Sequence, residues 1–226
     1  LSTASAALGI TVQAATPTAP GTPDMHPESD TGASNSDNIT NDTTPRFTGA
    51  CVTGDKINLS SNLTGALVPA NTLCASGNYD ITITTILSQD PHSITAKATN
   101  PEGFTSSASG GLSITIDLIA PAAPGTPDLA SGSDTGASNS DNITSDTTPQ
   151  FTGSCESGAT VTLSSSVNGI LAPTGTCSSG AFDITLTSVL SEGAHNITAA
   201  QVDVAGNGSG SSPALGVNIV IPVLLV

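Results

Sequence analysis

The stretch SDTGASNSDNITNDTTPRFTG at residues 29–49 returns almost unchanged as SDTGASNSDNITSDTTPQFTG at residues 133–153. The two copies are 104 residues apart (133 − 29), and the APGTPD strings that end at Asp24 and Asp128 keep the same spacing. Three further residues recur at nearly this spacing, namely Cys51, His92 and Leu112, which reappear as Cys155, His195 and Leu215. The chain is therefore expected to contain two copies of one folding unit of roughly 100 residues.

Short segments within each copy alternate apolar and polar side chains, as at residues 56–60 and 80–84 and at the equivalent 183–187. Alternation with period two is typical of a half-buried strand, and Gly, Pro, Asn and Asp punctuate the segments as turn formers. No window sustains a helical period. The sequence therefore predicts an all-β fold of two tandem immunoglobulin-like Greek-key β-sandwiches, at residues 16–119 and 120–226.

Residues 1–15 do not begin a copy of the unit but resemble the end of one. The string Leu-Gly-Ile-Thr-Val at residues 8–12 aligns with Leu-Ser-Ile-Thr-Ile at residues 112–116. Alternate positions form one apolar face, and we predict an additional N-terminal strand that carries Ala4, Ala6, Leu8, Ile10, Val12 and Ala14 on it. An unpaired strand needs partners for its backbone groups and for its apolar face.

Two hypotheses account for this surplus strand. It is either the last strand of a preceding unit in a long array, or a strand donated to the sheet of a neighbouring subunit. The second would join subunits head to tail into a homopolymer, and the apolar tail at residues 219–225, which also needs cover, favours it.

The charge of the chain excludes several classes of partner. Lys and Arg total 3 against 18 Asp and Glu, which gives a formal net charge of −15. Binding to nucleic acid needs several Lys or Arg contacts to phosphates, and an anionic membrane surface would repel this chain. No stretch has the roughly 20 apolar residues of a membrane span. The composition instead favours cations or neutral polar surfaces as partners.

Each copy holds one pair of cysteines at nearly the same spacing, Cys51 with Cys74 and Cys155 with Cys177. Disulfides within each copy are the simplest of the three pairings. A zinc site is the competing interpretation, but no CxxC motif or histidine pair lies nearby. Disulfides would place the protein in an oxidising compartment outside the cytosol.

The repeated segment contains Ser-Asp-Asn-Ile-Thr and ends in Asp-Thr-Thr-Pro-x-Phe-Thr-Gly, and it resembles the bacterial Ig-like repeats of large cell-surface adhesins. Residues 203–207, Asp-Val-Ala-Gly-Asn, are similar to the family's late Asp-x-Ala-Gly-Asn turn, whereas residues 100–104 of the first copy read Asn-Pro-Glu-Gly-Phe. The resemblance implies an extracellular structural or adhesive protein on the bacterial cell surface that forms a fibre or filament. The alternative is a fragment of a long multi-repeat adhesin, acting as a stalk or as a module that binds a carbohydrate or host protein.

The resemblance also implies Ca²⁺, because family modules often stiffen their junctions with this ion. The candidate ligands are the loop carboxylates, with hard oxygen atoms that suit Ca²⁺, namely Asp24, Asp30, Asp37, Asp42, Asp128, Asp134, Asp141 and Asp146. Asp117 and Asp203 are further candidates near the ends of the units. The competing interpretation is that Asp and Asn occur here as turn formers that bond local backbone amides.

No catalytic site is predicted. The sequence contains no Gly-x-Ser-x-Gly, phosphate-loop or dinucleotide motif. The equivalent residues His92 and His195 are interpreted as structural turn residues just before a strand. We therefore expect a protein that is not an enzyme.

Overall fold

A computed structural model describes residues 15–222. These residues form strands, turns and loops and contain no helix. The predicted strand residues Ala4, Ala6, Leu8, Ile10, Val12 and Ala14 lie outside the described residues, as does the end of the apolar tail.

Within residues 15–222, the two copies contain nine strands each, in the same order. The strands of the first are β1 Asp24–Met25, β2 Ile39–Thr40, β3 Arg46–Ala50, β4 Lys56–Ser61, β5 Gly65–Ala66, β6 Thr72–Leu73, β7 Asn78–Thr82, β8 Asp90–Thr99 and β9 Leu112–Ile116. Those of the second are β10 Asp128–Leu129, β11 Ile143–Thr144, β12 Gln150–Ser154, β13 Thr160–Ser165, β14 Gly169–Ile170, β15 Gly175–Thr176, β16 Ala181–Thr185, β17 Gly193–Val202 and β18 Leu215–Ile219.

Each copy forms one small and one large sheet. The small sheet of the first has the order β1-β3-β7, and the large sheet has the order β2-β9-β8-β4-β5, with β6 also pairing β4. The second copy repeats both sheets, as β10-β12-β16 and β11-β18-β17-β13-β14, with β15 pairing β13. Strands that are distant in sequence are neighbours in the sheets, as in Ig-like folds, and the predicted fold class is confirmed.

The alternation seen in the sequence becomes the burial pattern of the strands. In β4, Ile57, Leu59 and Ser61 are buried while the residues between them are not, and β13 buries Val161, Leu163 and Ser165 in the same way. Side chains that point to one face of each sheet fill the space between the sheets, and those on the other face meet solvent. Both cores are largely aliphatic, and each also buries two aromatic side chains, Phe47 and Tyr79 in the first copy and Phe151 and Phe182 in the second.

The described residues pack into two compact units. The first holds residues 15–26, Thr44–Leu87 and His92–Ser113, and the second holds Pro27–Thr43, Ser88–Pro91 and residues 114–222. The second unit thus includes the loop that carries the beginning of the repeated segment and the strands β10–β18.

Tyr79 offers a test of core packing, because its equivalent in the second copy is Phe182. Tyr79 is buried, and its hydroxyl has no hydrogen-bond partner. Burial raises the pKa of the phenol, so that it stays neutral. We expect Tyr79→Phe to raise the free energy of unfolding by about 1 kcal/mol, since it removes a buried unsatisfied group. Urea denaturation measures the change, and Phe182→Tyr should produce a loss of similar size.

Candidate functional site

The predicted disulfides are confirmed. Cys51 is bonded to Cys74 and Cys155 to Cys177, and none of the cysteines is free. Each bond joins the residue that follows the middle strand of the small sheet to the residue that follows β6 or β15. The cysteines are therefore not available as ligands for zinc.

The eight candidate aspartates lie at strand starts and in turns. Asp24 and Asp128 begin β1 and β10, paired with Thr48 and Thr152. The oxygens of the loop carboxylates bond local amides: Asp30 and Asp134 accept from Asn38 and Asn142, Asp37 and Asp141 from Ile39 and Ile143, and Asp146 from Thr148, while the amide of Asp42 donates to Thr40. These contacts are those of turn-forming residues.

Asp30 and Asp134 have a property that the other candidates lack. Both are buried, and one carboxylate oxygen of each, Oδ1, has no hydrogen-bond partner. Burial raises the pKa of Asp30, and the nearby charge of Asp37 raises it further. Residues 15–222 contain no group of three or more His, Cys, Asp or Glu side chains placed to hold one metal ion. Among the predicted ligands, each copy thus has one carboxylate oxygen without a hydrogen-bond partner that could bind an ion, and Ca²⁺ stays a prediction.

The turn at residues 203–207, in the second unit, is held by several hydrogen bonds. Asp203 is buried and organises it: its Oδ1 accepts from the amides of Ala205 and Asn207 at 2.9 and 2.8 Å. Its Oδ2 accepts from Asn207 Nδ2 at 2.9 Å. With its acceptors used inside the turn, Asp203 serves as a structural residue.

The 203–207 turn contacts the repeated segment, within the same compact unit. The carbonyl of Ala205 accepts from Thr31 Oγ1 at 2.6 Å and from the amide of Asn41 at 3.2 Å. Asn207 Nδ2 also donates to the carbonyl of Asp117 at 2.9 Å. Ala205 is fully buried by these contacts and its surroundings. The 203–207 turn therefore docks onto a polar surface that lies much earlier in the chain. That surface is formed by Thr31, Asn41 and the carbonyl of Asp117.

Sequence reasoning missed this contact, although the signal was present in the residues. Thr31 and Gly32 belong to the duplicated string, and the 203–207 turn carries the family-like Asp-x-Ala-Gly-Asn pattern. Nothing in the string indicates which part of the chain it meets, because the partners Thr31 and Ala205 are separated by 174 residues.

The sequence predicted that His92 and His195 lie in turns just before a strand, and this placement was wrong. His92 and His195 lie inside β8 and β17 and are buried, each with Nδ1 at 2.8 Å from a serine hydroxyl, Ser61 or Ser165. Both strands begin three residues further toward the N-terminus than the sequence pattern indicated. A buried histidine whose ring nitrogen is hydrogen-bonded to serine is a core residue, as expected of a structural role.

Arg46 and Asp80 form an ion pair across β3 and β7, where the second copy has Gln150 and Asp183. The hydrogen bond from Arg46 holds the pKa of Asp80 below its ordinary value. A lowered pKa contributes stability above the unfolded-state pKa that is lost as the pH falls through the folded-state pKa.

We therefore expect Arg46→Gln to raise the Asp80 pKa and to flatten the acid-side loss of stability. The effect at neutral pH should stay below about 1 kcal/mol, since the pair is largely exposed. Side-chain NMR titration measures the pKa directly, with Lys97→Gln as a control that removes a charge from another strand. An unchanged Asp80 pKa in Arg46→Gln would contradict the assignment.

Residues 15–222 contain no helix that is long and apolar enough to cross a membrane. Two disulfide-bonded sandwiches, each made of a three-stranded and a six-stranded sheet, define a protein of tandem Ig-like domains.

The family model described as the bacterial Ig-like domain matches residues 16–118 and again residues 121–219. The chain therefore belongs to the bacterial Ig-like domain family, as the sequence resemblance implied, and this is not a family of enzymes. No curated protein matches the chain. Disulfides and family together indicate an extracellular protein.

Three solved structures are similar to this chain at low identity. The BSP domain of a biofilm-associated protein shares 18% identity over 88% of this chain and 30% of its own, with a TM-score of 0.31. The fibronectin(III)-like modules of Clostridium thermocellum CbhA share 12% over 80% and 87%, with a TM-score of 0.44. A tetra-tandem repeat in the extending region of a large adhesion protein shares 17% over 80% and 47%, with a TM-score of 0.30. The chain thus spans less than a third of the first structure's length, and TM-scores this low support no further conclusion.

Proposed function

We propose that this chain is a load-bearing part of an extracellular bacterial surface protein of the adhesin type, which spans distance from the cell and carries out no catalysis. One observation supports this proposal above the others. In each copy, a strand near the beginning pairs in parallel with the last strand: β2 with β9, and β11 with β18.

This pairing suits a chain that is pulled at its ends. The amide of Asn218 donates to the carbonyl of Asn142, and that of Val220 to Thr144, both at 2.8 Å. When a domain is pulled at its two ends, the force pulls the first strand of the pair toward one end and the last strand toward the other. The two parallel strands are therefore sheared along their length. The hydrogen bonds between them are then loaded together, and they do not open one after another.

The segment that precedes β10 is held in a way that supports the same role. Pro121 and Pro124 are buried, and each fixes its own backbone φ angle. The amide of Gly125 donates to the carbonyl of Ser154 at 3.0 Å, and Gln201 Nε2 donates to the carbonyl of Ala122 at 2.7 Å. A connection that is bonded along its length transmits tension with little slack.

Single-molecule force spectroscopy of the full chain tests the proposal. We expect two unfolding events, and Val220→Pro should lower the unfolding force of one, because proline removes the N–H that donates to Thr144. Val220→Ala keeps that N–H and is the matched control. Unfolding forces that are equal in the proline and alanine variants would contradict a load-bearing β11–β18 pair.

The disulfides identify the events. Each closes a loop that cannot extend, with sequence separations of 23 for Cys51–Cys74 and 22 for Cys155–Cys177. At about 3.4 Å per residue, reduction should lengthen each unfolding step by roughly 75 Å. Steps of unchanged length would show that the measured events are not these domains.

Filament assembly by donation of residues 1–15 is a separate hypothesis, and these residues lie almost wholly outside the described ones. Leu8 to Val12 align with β9 and β18, which already occupy the place beside β2 and β11 in their own copies. A donated strand would have to displace one of them or complete another unit. Electron microscopy of protein lacking residues 1–15 tests it, and undiminished filaments would rule it out. Hits on a glycan array by monomeric protein would instead favour a carbohydrate-binding module.

Calcium binding is likewise testable. If the loop aspartates hold Ca²⁺, the ion would satisfy the orphaned Oδ1 atoms of Asp30 and Asp134. We then expect Ca²⁺ to raise the melting temperature of chelator-treated protein and Asp30→Asn with Asp134→Asn to abolish the rise. A melting temperature that does not respond to Ca²⁺ would contradict the prediction.

A further inference from the structure

We propose that the second copy carries a docking surface for the Asp-x-Ala-Gly-Asn turn of a further Ig-like repeat that follows it. The surface, which we call the turn seat, consists of Thr135, Gly136, Thr144 and Ser145. Its equivalents in the duplicated segment, Thr31, Gly32, Thr40 and Asn41, receive the 203–207 turn. The inference rests on the proposed function, since it concerns repeats that act in series.

The polar groups of the turn seat are already in place. Thr135 Oγ1 lies 3.0 Å from Thr144 Oγ1 and accepts from the amide of Ser145 at 2.8 Å. In the occupied surface, Thr31 Oγ1 lies 2.9 Å from Thr40 Oγ1 and accepts from Asn41 at 3.0 Å. In the first copy, the Thr31 hydroxyl and the Asn41 amide donate to the Ala205 carbonyl. In the second copy, the equivalent Thr135 hydroxyl and Ser145 amide have the same arrangement, but no turn is bound to them.

A backbone carbonyl completes the correspondence. Asn207 Nδ2 donates to the carbonyl of Asp117, the first residue after β9. The first residue after β18 is Val220, and its amide donates to the Thr144 carbonyl at 2.8 Å, as the Asp117 amide donates to the Thr40 carbonyl at 2.9 Å, so Val220 holds the equivalent backbone position. Because this contact uses the main chain, the change from Asp to Val preserves it.

The glycines show that one surface is filled and the other open. Gly32 has φ +98°, and a Cβ there would lie 2.7 Å from the carbonyl carbon of Val204. Gly136 has φ +120°, and a Cβ there would find its closest neighbour, the oxygen of Ile143, only at 3.7 Å. The second copy therefore has a glycine, Gly136, where the first copy packs Gly32 against the backbone of the turn. The space that a turn would occupy beside Gly136 is empty.

The exposure of the surrounding side chains also favours a docked turn as the occupant of this surface. Ile143 is 45% exposed and Ser145 is exposed, whereas their equivalents Ile39 and Asn41 are half-buried. Ile143 and the 44% exposed Val220 line a small hollow beside Gly136. A turn of small residues such as Val-Ala-Gly matches this hollow in size and polarity.

The chain also supplies a turn that should not bind. Residues 100–104 of the first copy, Asn-Pro-Glu-Gly-Phe, occupy the position equivalent to 203–207, and Pro101, Glu102 and Phe104 are exposed. This turn lacks the Asp that accepts two amides and the Asn that reaches the Asp117 carbonyl. Recognition is therefore expected to depend on the sequence of the turn and not on the presence of a neighbouring domain alone.

The test is an extended chain in which a second copy of residues 120–222 follows residue 222, so that the spacing after the last strand is kept. Residues 1–222 are isotope-labelled by segmental ligation, and amide exchange at Ser145 is followed by NMR. We expect exchange at Ser145 to be about tenfold slower in the extended chain than in the two-repeat chain. The control carries Asn-Pro-Glu-Gly-Phe at residues 203–207 of the added copy, a turn that the first copy already folds with.

Equal exchange at Ser145 in the native-turn and swapped-turn chains, whether fast or slow, would overturn the inference. As a second measurement, Gly136→Ala in the extended chain should return the exchange rate to that of the two-repeat chain. An exchange rate that stays slow in Gly136→Ala would also overturn it. The force measurements use the chain without an added copy, so a failure here leaves the load-bearing role standing.

Discussion

Removing the disulfide of the second copy is expected to lower its free energy of unfolding by about 3 kcal/mol. The double variant Cys155→Ala with Cys177→Ala opens a loop with a sequence separation of 22. Loop-closure entropy for a loop of this size amounts to roughly 3 kcal/mol, because the cross-link restricts the unfolded chain. Guanidinium denaturation at equilibrium, followed by circular dichroism, measures the loss.

Two comparisons separate the stabilisation by the disulfide bond from the stabilisation by packing of the cysteine side chains. Reduction of the native protein should destabilise both copies, and Cys51→Ala with Cys74→Ala should affect only the first. Cys177 is buried, so its replacement also removes a small apolar contact, which Cys177→Ser and Cys177→Val in the reduced protein would measure. A double variant as stable as the oxidised native protein would refute a stabilising role for this disulfide.

Much of the fold was predictable because it is written in local patterns. Alternation at Ile57 and Leu59 placed one face of β4 in the core, and the repeat implied the same for Val161 and Leu163. The cysteine pairs followed from their near-equal spacing within each copy. Such signals depend only on neighbours in the sequence and on the period of a strand.

The site was less predictable because its contacts are long-range. The pairing of Thr31 with Ala205 depends on the folded chain, and no period or spacing encodes it. The histidines show the same limit: the sequence pattern placed His92 and His195 just before a strand, yet β8 begins at Asp90 and β17 at Gly193. Burial of the ring beside Ser61 outweighs the local preference of the preceding residues.

Gly153→Ala is expected to destabilise the second copy strongly, although it adds only one methyl group. Gly153 lies directly opposite Phe182 in the β12–β16 pair, and the ring covers it. A Cβ at residue 153 would lie 2.5 Å from two ring carbons of Phe182. Phe182 is itself buried and cannot turn away without opening the core. We expect a loss of about 2–3 kcal/mol, as for overpacking of a filled core.

The control is Gly216→Ala in β18, where a Cβ would meet nothing within 4 Å. Alanine there should leave stability unchanged or raise it slightly, since it restricts the unfolded chain. Gly49→Ala provides an independent replicate, because Tyr79 covers Gly49 in the same register of the first copy. Thermal unfolding of the four proteins decides the matter. Equal melting temperatures for Gly153→Ala and Gly216→Ala would mean that the ring does not rest on the glycine, and the cross-strand packing of both small sheets would need another explanation.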